Sequence, residues 1–259
     1  MADKHGDLVW YELMTTDADA AQAFYGPLLG WDFADSGMEG ADYRLFSHGS
    51  DQIGGLMVLD NAMKQGGARP MWAGYVEVDD ADAAAEKIAA LGGVIYVQPQ
   101  DIPGVGRFAY AADPAGAPFY VMQGNGEPSQ SFGRYGPREG ACAWNELYTA
   151  DPEGAKAFYG DLFGWTKDGE MDMGPMGKYE FLRAGDYMLG AVMPKPDEFP
   201  ATMWVYYFRV PAIDPAVNYV RANGGQVLLE PQEIPGGEFV IQGLDPQGAL
   251  FALIGKREH

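Results

Sequence analysis

The chain has 259 residues, of which 47% are hydrophobic and 13% aromatic, enough to bury the core of one large or two ordinary domains. It carries 17 Lys+Arg against 37 Asp+Glu, a formal charge of −20, and that field repels phosphate backbones and anionic lipid. Neither nucleic acid nor a membrane is therefore expected as a partner. Cys142 is the only cysteine, which excludes an intrachain disulfide scaffold. No apolar stretch reaches the roughly 18 residues of a membrane span, and the opening Met-Ala-Asp-Lys-His-Gly-Asp lacks the pattern of a signal peptide. A cytoplasmic protein, monomer or homodimer, is the expectation.

Val9–Met14 is a short apolar and aromatic run that reads as a strand. Asp17 is placed to cap a helix whose apolar face is Ala21, Phe24, Tyr25 and Leu28, with Gly30 ending it. Strand-like stretches follow near Trp31–Phe33, Tyr43–Ser47 and Gln52–Val58. The cycle then restarts: Trp72–Val78 predicts a strand, and Asp82 a cap for a helix through Leu91. Strands near Val94–Val97, Arg107–Ala112 and Pro118–Met122 complete it. The stretch from Gly124 to Gly140 is low in aliphatics and predicts a linker.

Beyond it the chain repeats itself. Thirteen of the 22 positions from Trp10 to Trp31 recur at a constant offset of 134, in Trp144–Trp165. Tyr43, Gly54 and Met57 return as Tyr179, Gly190 and Met193. Trp72, Tyr75 and Val78 return as Trp204, Tyr207 and Val210, and Asp113-Pro114-Ala-Gly116 as Asp245-Pro246-Gln-Gly248. Asp151-Pro152-Glu153 gives the second copy's first helix a cap, a first-turn proline and an early acid. Asp214-Pro215 predicts the cap of its second helix. Each half is thus a βαβββ pattern performed twice, with domains expected at 1–123 and 141–259 joined by the 124–140 linker.

Two motifs carry a resemblance. Asp-x-x-x-Ala-x-x-Phe-Tyr-x-x-x-x-Gly-Trp, at Asp17–Trp31 and Asp151–Trp165, and the Asp-Pro-x-Gly turn, at Asp113 and Asp245, resemble signatures of the vicinal oxygen chelate superfamily. That superfamily includes glyoxalases, bleomycin-resistance proteins and extradiol dioxygenases. The resemblance implies an α+β fold of tandem glyoxalase-like domains, four βαβββ modules forming curved mixed sheets around clefts. Modules pair within halves or across them in such proteins, and the sequence leaves both open.

The same resemblance places the metal ligands of the family's metalloenzymes at Trp10, Ala73 and Tyr120 in the first half and Trp144, Val205 and Ala252 in the second. None is a ligand type for Zn, Fe, Mn or Ni, so no metal and no cofactor are expected. Alternation puts Trp10, Glu12 and Met14 on one face of the first strand, and Trp144, Glu146 and Tyr148 on one face of its repeat. With Trp10 and Trp144 at the ligand positions, these faces would look into the clefts. Tyr75, Glu77, Arg107 and Tyr120 would join the first and Tyr207 and Arg209 the second. Trp10 and Trp144 serve equally as core that fills a lost site, and an inward Glu12 or Glu146 calls for a partner such as Arg107 or Arg209.

An aromatic wall with a few charges suits a small organic ligand, held without a metal as in the bleomycin-resistance branch. The alternative is a glyoxalase-like lyase or isomerase acting on a carbonyl metabolite, with Glu12 or Glu146 as general base. A metal held on carboxylates alone, Glu12 and Glu77 among them, and a plain interaction protein are the remaining readings.

Overall fold

The computed structural model describes residues 3–38, 40, 42–125, 128–197 and 199–257. The ends of the expected domains, Met1 and His259, and Gly126 and Glu127 of the expected linker lie outside them.

The first half begins with β1 (Leu8–Thr15), whose chain turns at Asp17 into α1 (Ala18–Leu29). The Asp17 carboxylate accepts from the Ala20 N–H, and Gly30 ends the helix in the left-handed region, as the sequence predicts. Next come β2 (Asp32–Asp35), β3 (Tyr43–His48), β4 (Asp51–Val58) and the short α2 (Asn61–Gln65). Then β5 (Met71–Glu77), α3 (Ala81–Ala90), β6 (Val94–Ile102), β7 (Gly106–Ala112) and β8 (Pro118–Gly124) repeat the pattern.

The second half supplies β9 (Cys142–Thr149), α4 (Pro152–Phe163), β10 (Thr166–Asp172), β11 (Lys178–Ala184) and β12 (Tyr187–Pro194). It closes with β13 (Met203–Ala212), α5 (Ile213–Ala222), β14 (Gln226–Ile234), β15 (Glu238–Leu244) and β16 (Leu250–Lys256). Each half forms one eight-stranded mixed sheet, in the orders β2-β3-β4-β1-β5-β8-β7-β6 and β10-β11-β12-β9-β13-β16-β15-β14. This is the α+β, four-module architecture expected from the repeat.

Three local details differ from the expectation. Asp80, not Asp82, caps α3, and Asp82 instead pairs with Arg107 from the first turn. No side chain caps α5; Asp214 lies inside its first turn and holds Arg257. The stretch read as a linker is partly strand-like, because Phe132 bridges Cys142 and both are buried.

Close packing gathers the chain into two compact units, and each draws on both halves. One joins Met1–Val9, Ala73–Ser129 and Trp144–Trp204. The other joins Trp10–Trp72, Gln130–Ala143 and Val205–His259. Module two therefore packs with module three, and module one with module four.

The repeated motifs explain this exchange. In the unit holding module one, the Trp72 indole donates to the Tyr25 hydroxyl (3.2 Å), which donates to the Asp245 carboxylate (3.0 Å). The other unit has the same relay from Trp204 through Tyr159 to Asp113, at 3.0 and 3.1 Å. The Phe-Tyr of one half's first helix thus meets the Asp-Pro-x-Gly turn of the other half. Each aspartate also receives two backbone N–H groups of its own turn, Ala115 and Ala117 or Gln247 and Ala249. Burial pushes both carboxyls and the Tyr25 hydroxyl above their ordinary values. The closing tryptophan of each motif crosses halves too: Trp31 donates to the Gly140 carbonyl at 2.9 Å and Trp165 to that of Gly6 at 2.7 Å.

Glycines set the approach of the strands that carry the site. β1 pairs in parallel with β4, and a Cβ at Gly54 would sit 2.1 Å from the Tyr11 carbonyl oxygen. Its counterpart Gly190, on β12 beside β9, would place one 1.7 Å from the Asn145 oxygen. Only glycine permits that spacing. At the sheet edges, β6 and β14 each carry a proline, Pro99 and Pro231, where their pairing with β7 and β15 slips register.

Candidate functional site

Alternation along β1 separates two environments. Tyr11 is fully buried and meets Phe208 edge-on at 5.7 Å, within a ring cluster that continues through Trp31 to Tyr25 on α1. Glu12 lies on the opposite face beside Tyr43 of β3, and is 3% exposed. The half-buried Trp10 donates its indole N–H to the Tyr43 hydroxyl at 3.2 Å, and that hydroxyl hydrogen-bonds the Glu12 carboxylate. Burial, then the Glu12 charge, push the Tyr43 hydroxyl well above the ordinary tyrosine value, so it stays protonated and donates. Tyr43 reaches the carboxylate because Gly55, directly beside Glu12, leaves room; a Cβ there would lie 2.0 Å from the hydroxyl.

The other unit repeats the triad. Trp144 donates to Tyr179 at 2.6 Å, and Tyr179 hydrogen-bonds Glu146, which is 5% exposed. Burial, then the Glu146 charge, raise Tyr179 in the same way. Two ordered chains of hydrogen bonds, Trp10–Tyr43–Glu12 and Trp144–Tyr179–Glu146, each run from an indole donor to a buried carboxylate.

The structure brings the expected Trp10, Glu12, Trp144 and Glu146 together with Tyr43 and Tyr179, which the sequence reading did not place in the clefts. Their signal was available, since Tyr43 and Tyr179 recur with the repeat.

The remaining expected residues fall elsewhere. Tyr75 and Tyr120 stack face to face at 4.1 Å, and Tyr110 stacks on Tyr120 at 4.4 Å, a tyrosine ladder that reaches the exposed Tyr96. Tyr207 accepts a hydrogen bond from the Gln242 amide at 2.7 Å, where the first half has that ladder. Arg209 forks onto Glu238, and Arg107 onto Asp82 with a third bond to Asp101. Both arginines thus already hold carboxylates other than Glu12 and Glu146. A groove of about 770 Å³ on α1 is lined by Asp19, Gln22, Gly26, Pro27 and Phe33 among others, and none of the expected site residues borders it.

Glu77 accepts the Gly124 N–H at 3.0 Å. Burial pushes it up to about 7; the Gly124 bond opposes that, and the charges of Asp3, Asp7 and Asp79 add to it. A carboxyl raised in the folded state stabilises below its unfolded value, and that stability is lost as pH rises through about 7. Glu77→Gln should therefore flatten the stability profile between pH 5 and 8 and gain on the wild type towards pH 8. Denaturant unfolding across that range checks it; an unchanged slope would contradict the assignment.

The metal positions do not fit a metal. Alanine and valine offer no lone pair, and indole nitrogen only donates. The Trp10 and Trp144 N–H groups are committed to tyrosine hydroxyls, and Tyr120 is stacked between two rings. Among the described residues no group of three or more His, Cys, Asp or Glu side chains converges. Purified protein is expected to carry no stoichiometric transition metal; mass-spectrometric analysis after gel filtration finding about one Zn, Fe, Mn or Ni per chain would contradict this.

Among the described residues no helix is long and apolar enough to cross a membrane. A profile of the Glyoxalase/Bleomycin resistance protein/Dioxygenase superfamily matches residues 7–121 and 141–253. The Mycobacterium tuberculosis protein named "Putative glyoxylase CFP32" is 32% identical over 97% of this chain and 95% of its own length. The "Anthracycline biosynthesis protein DnrV" of Streptomyces peucetius is 30% identical over 98% and 94%. Among solved structures, the Mn(II)-bound glyoxalase of Novosphingobium aromaticivorans aligns with a TM-score of 0.68 at 18% identity, over 98% of this chain and 83% of that one.

Proposed function

Because the chain belongs to the Glyoxalase/Bleomycin resistance protein/Dioxygenase superfamily, we propose that it binds a small organic molecule, without a metal, at its Trp–Tyr–Glu triads. One observation carries the reading: the same donor-ordered triad, ending on a buried carboxylate, stands in both units. A buried carboxylate is costly unless it is hydrogen-bonded, and the tyrosine hydroxyl supplies such a bond to a group that can also accept from a ligand. The partly exposed indoles of Trp10 and Trp144 supply apolar contact beside it. The protein would work in the cytoplasm, as monomer or homodimer.

The relative named as a glyoxylase supports a second reading, in which Glu12 or Glu146 acts as general base on a carbonyl metabolite. The committed Arg107 and Arg209 weigh against it, because each is paired with a carboxylate rather than placed for the oxyanion that such chemistry develops.

An unbiased thermal-shift screen of metabolites tests the binding reading. Trp10→Ala is expected to weaken a bound ligand by about 1–3 kcal/mol, the worth of a buried aromatic contact. Affinities unaffected by both Trp10→Ala and Trp144→Ala would overturn it. Turnover abolished by Glu12→Gln or Glu146→Gln would favour the catalytic reading instead.

A further inference from the structure

The two triads share a composition that narrows the ligand. Each sets a half-buried tryptophan and a half-buried tyrosine over a buried carboxylate. Within each triad the hydrogen bonds run inward, indole to hydroxyl to carboxylate, so this chain of donors ends on an acceptor. Ring faces carry negative quadrupole potential, and with a carboxylate behind them they attract a cation that can shed its water. Aromatic faces backed by a carboxylate suit an organic ammonium group, whereas a neutral group gains no charge attraction there and an anionic one is repelled. The chain's charge of −20 steers cationic ligands towards it and repels anions.

The two copies also differ. In the second, Phe181 of β11 stands 6.2 Å from Trp144 and 5.6 Å from Tyr179, both edge-on, adding a third ring. Its counterpart on β3 is Leu45.

We infer that each Trp–Tyr–Glu triad is a subsite for the ammonium group of an organic ligand, and that the Trp144–Tyr179–Glu146 subsite, flanked by Phe181, is the tighter of the two. This rests on the binding function proposed above and names the ligand chemistry.

Choline and its uncharged isostere 3,3-dimethylbutan-1-ol probe it directly. The full-length protein, labelled with ¹⁵N, is titrated with each while the indole N–H signals of Trp10 and Trp144 are followed. Choline should move both signals saturably, Trp144 at a several-fold lower concentration, and the alcohol should move neither at ten times that concentration. Glu146→Gln keeps the side-chain shape and an acceptor for Tyr179, and should raise half-saturation at Trp144 by tenfold or more while leaving Trp10 unchanged. Glu12→Gln should do the reverse. Should either variant fail to fold, Phe181→Leu decides: it should bring the Trp144 subsite to the affinity of the Trp10 subsite.

Equal shifts from the alcohol, or choline shifts indifferent to all three substitutions, would overturn the ammonium assignment. A neutral or anionic metabolite whose binding falls with Trp10→Ala would leave the binding function standing and remove only the ammonium assignment. A screen with no metabolite sensitive to either tryptophan removes both.

Discussion

Asp245→Ala is expected to cost about 3–5 kcal/mol of stability, enough to leave a protein of ordinary stability largely unfolded. The Asp245 carboxylate is 3% exposed and accepts three hydrogen bonds: the Tyr25 hydroxyl, the Gln247 N–H and the Ala249 N–H. Truncation strands these donors, and a buried unsatisfied donor costs about 1–3 kcal/mol. It also unties Tyr25 from the turn that docks module one against module four. Asp113→Ala should behave alike in the other unit, through Tyr159, Ala115 and Ala117. Denaturant unfolding measures both. Losses below about 1 kcal/mol would mean that water replaces the carboxylate and that the repeated turn is not a tie.

Gly54→Ala should cost about 3 kcal/mol or more, beyond the usual range for an overpacked side chain, because the new methyl meets backbone. The Tyr11 oxygen would stand 2.1 Å from the added carbon and the Phe46 ring edge 2.4 Å away, and β1 has to move off β4 to relieve them. Glu12 pairs across from Gly55, so that movement carries the carboxylate away from Tyr43. The expected result is therefore twofold: a lower unfolding midpoint, and loss of the Trp10 response to a ligand in whatever protein remains folded. A stable variant with an intact Trp10 response would show that the strand spacing does not hold the triad.

The fold was legible because two kinds of signal agreed. The repeat at an offset of 134 marked the two halves, and short apolar and aromatic runs marked strands. What the motifs do was not legible, since Tyr25 meets Asp245 across 220 residues and no local pattern encodes that contact. The triads were half visible. Trp10 and Glu12 follow from alternation within one strand, whereas Tyr43 joins them through the register of β3, β4 and β1, a long-range property.

Arg107 illustrates the opposite failure. A strand was expected only near Val94–Val97, yet β6 continues through a bulge past Pro99 to Ile102 and sets Asp101 opposite Arg107. Arg107 holds Asp101 there and, with two further bonds, Asp82 from the first turn of α3. A proline on an edge strand costs no ladder bond when its missing N–H faces outward, so it did not have to end the strand.

The exchange of modules between halves also fixes an order of events during synthesis. Residues 10–72 leave the ribosome first but belong to a unit completed only by Val205–His259. At typical elongation rates of about 5–20 residues per second, the first module waits roughly 10–40 s for its partner. Throughout that interval Tyr25, Trp31 and Trp72 lack the Phe208, Phe251 and Asp245 they will bury against. The nascent chain thus carries this aromatic surface uncovered until the residues from Val205 onward emerge, which makes it a natural client for whatever shields apolar surface at the tunnel exit.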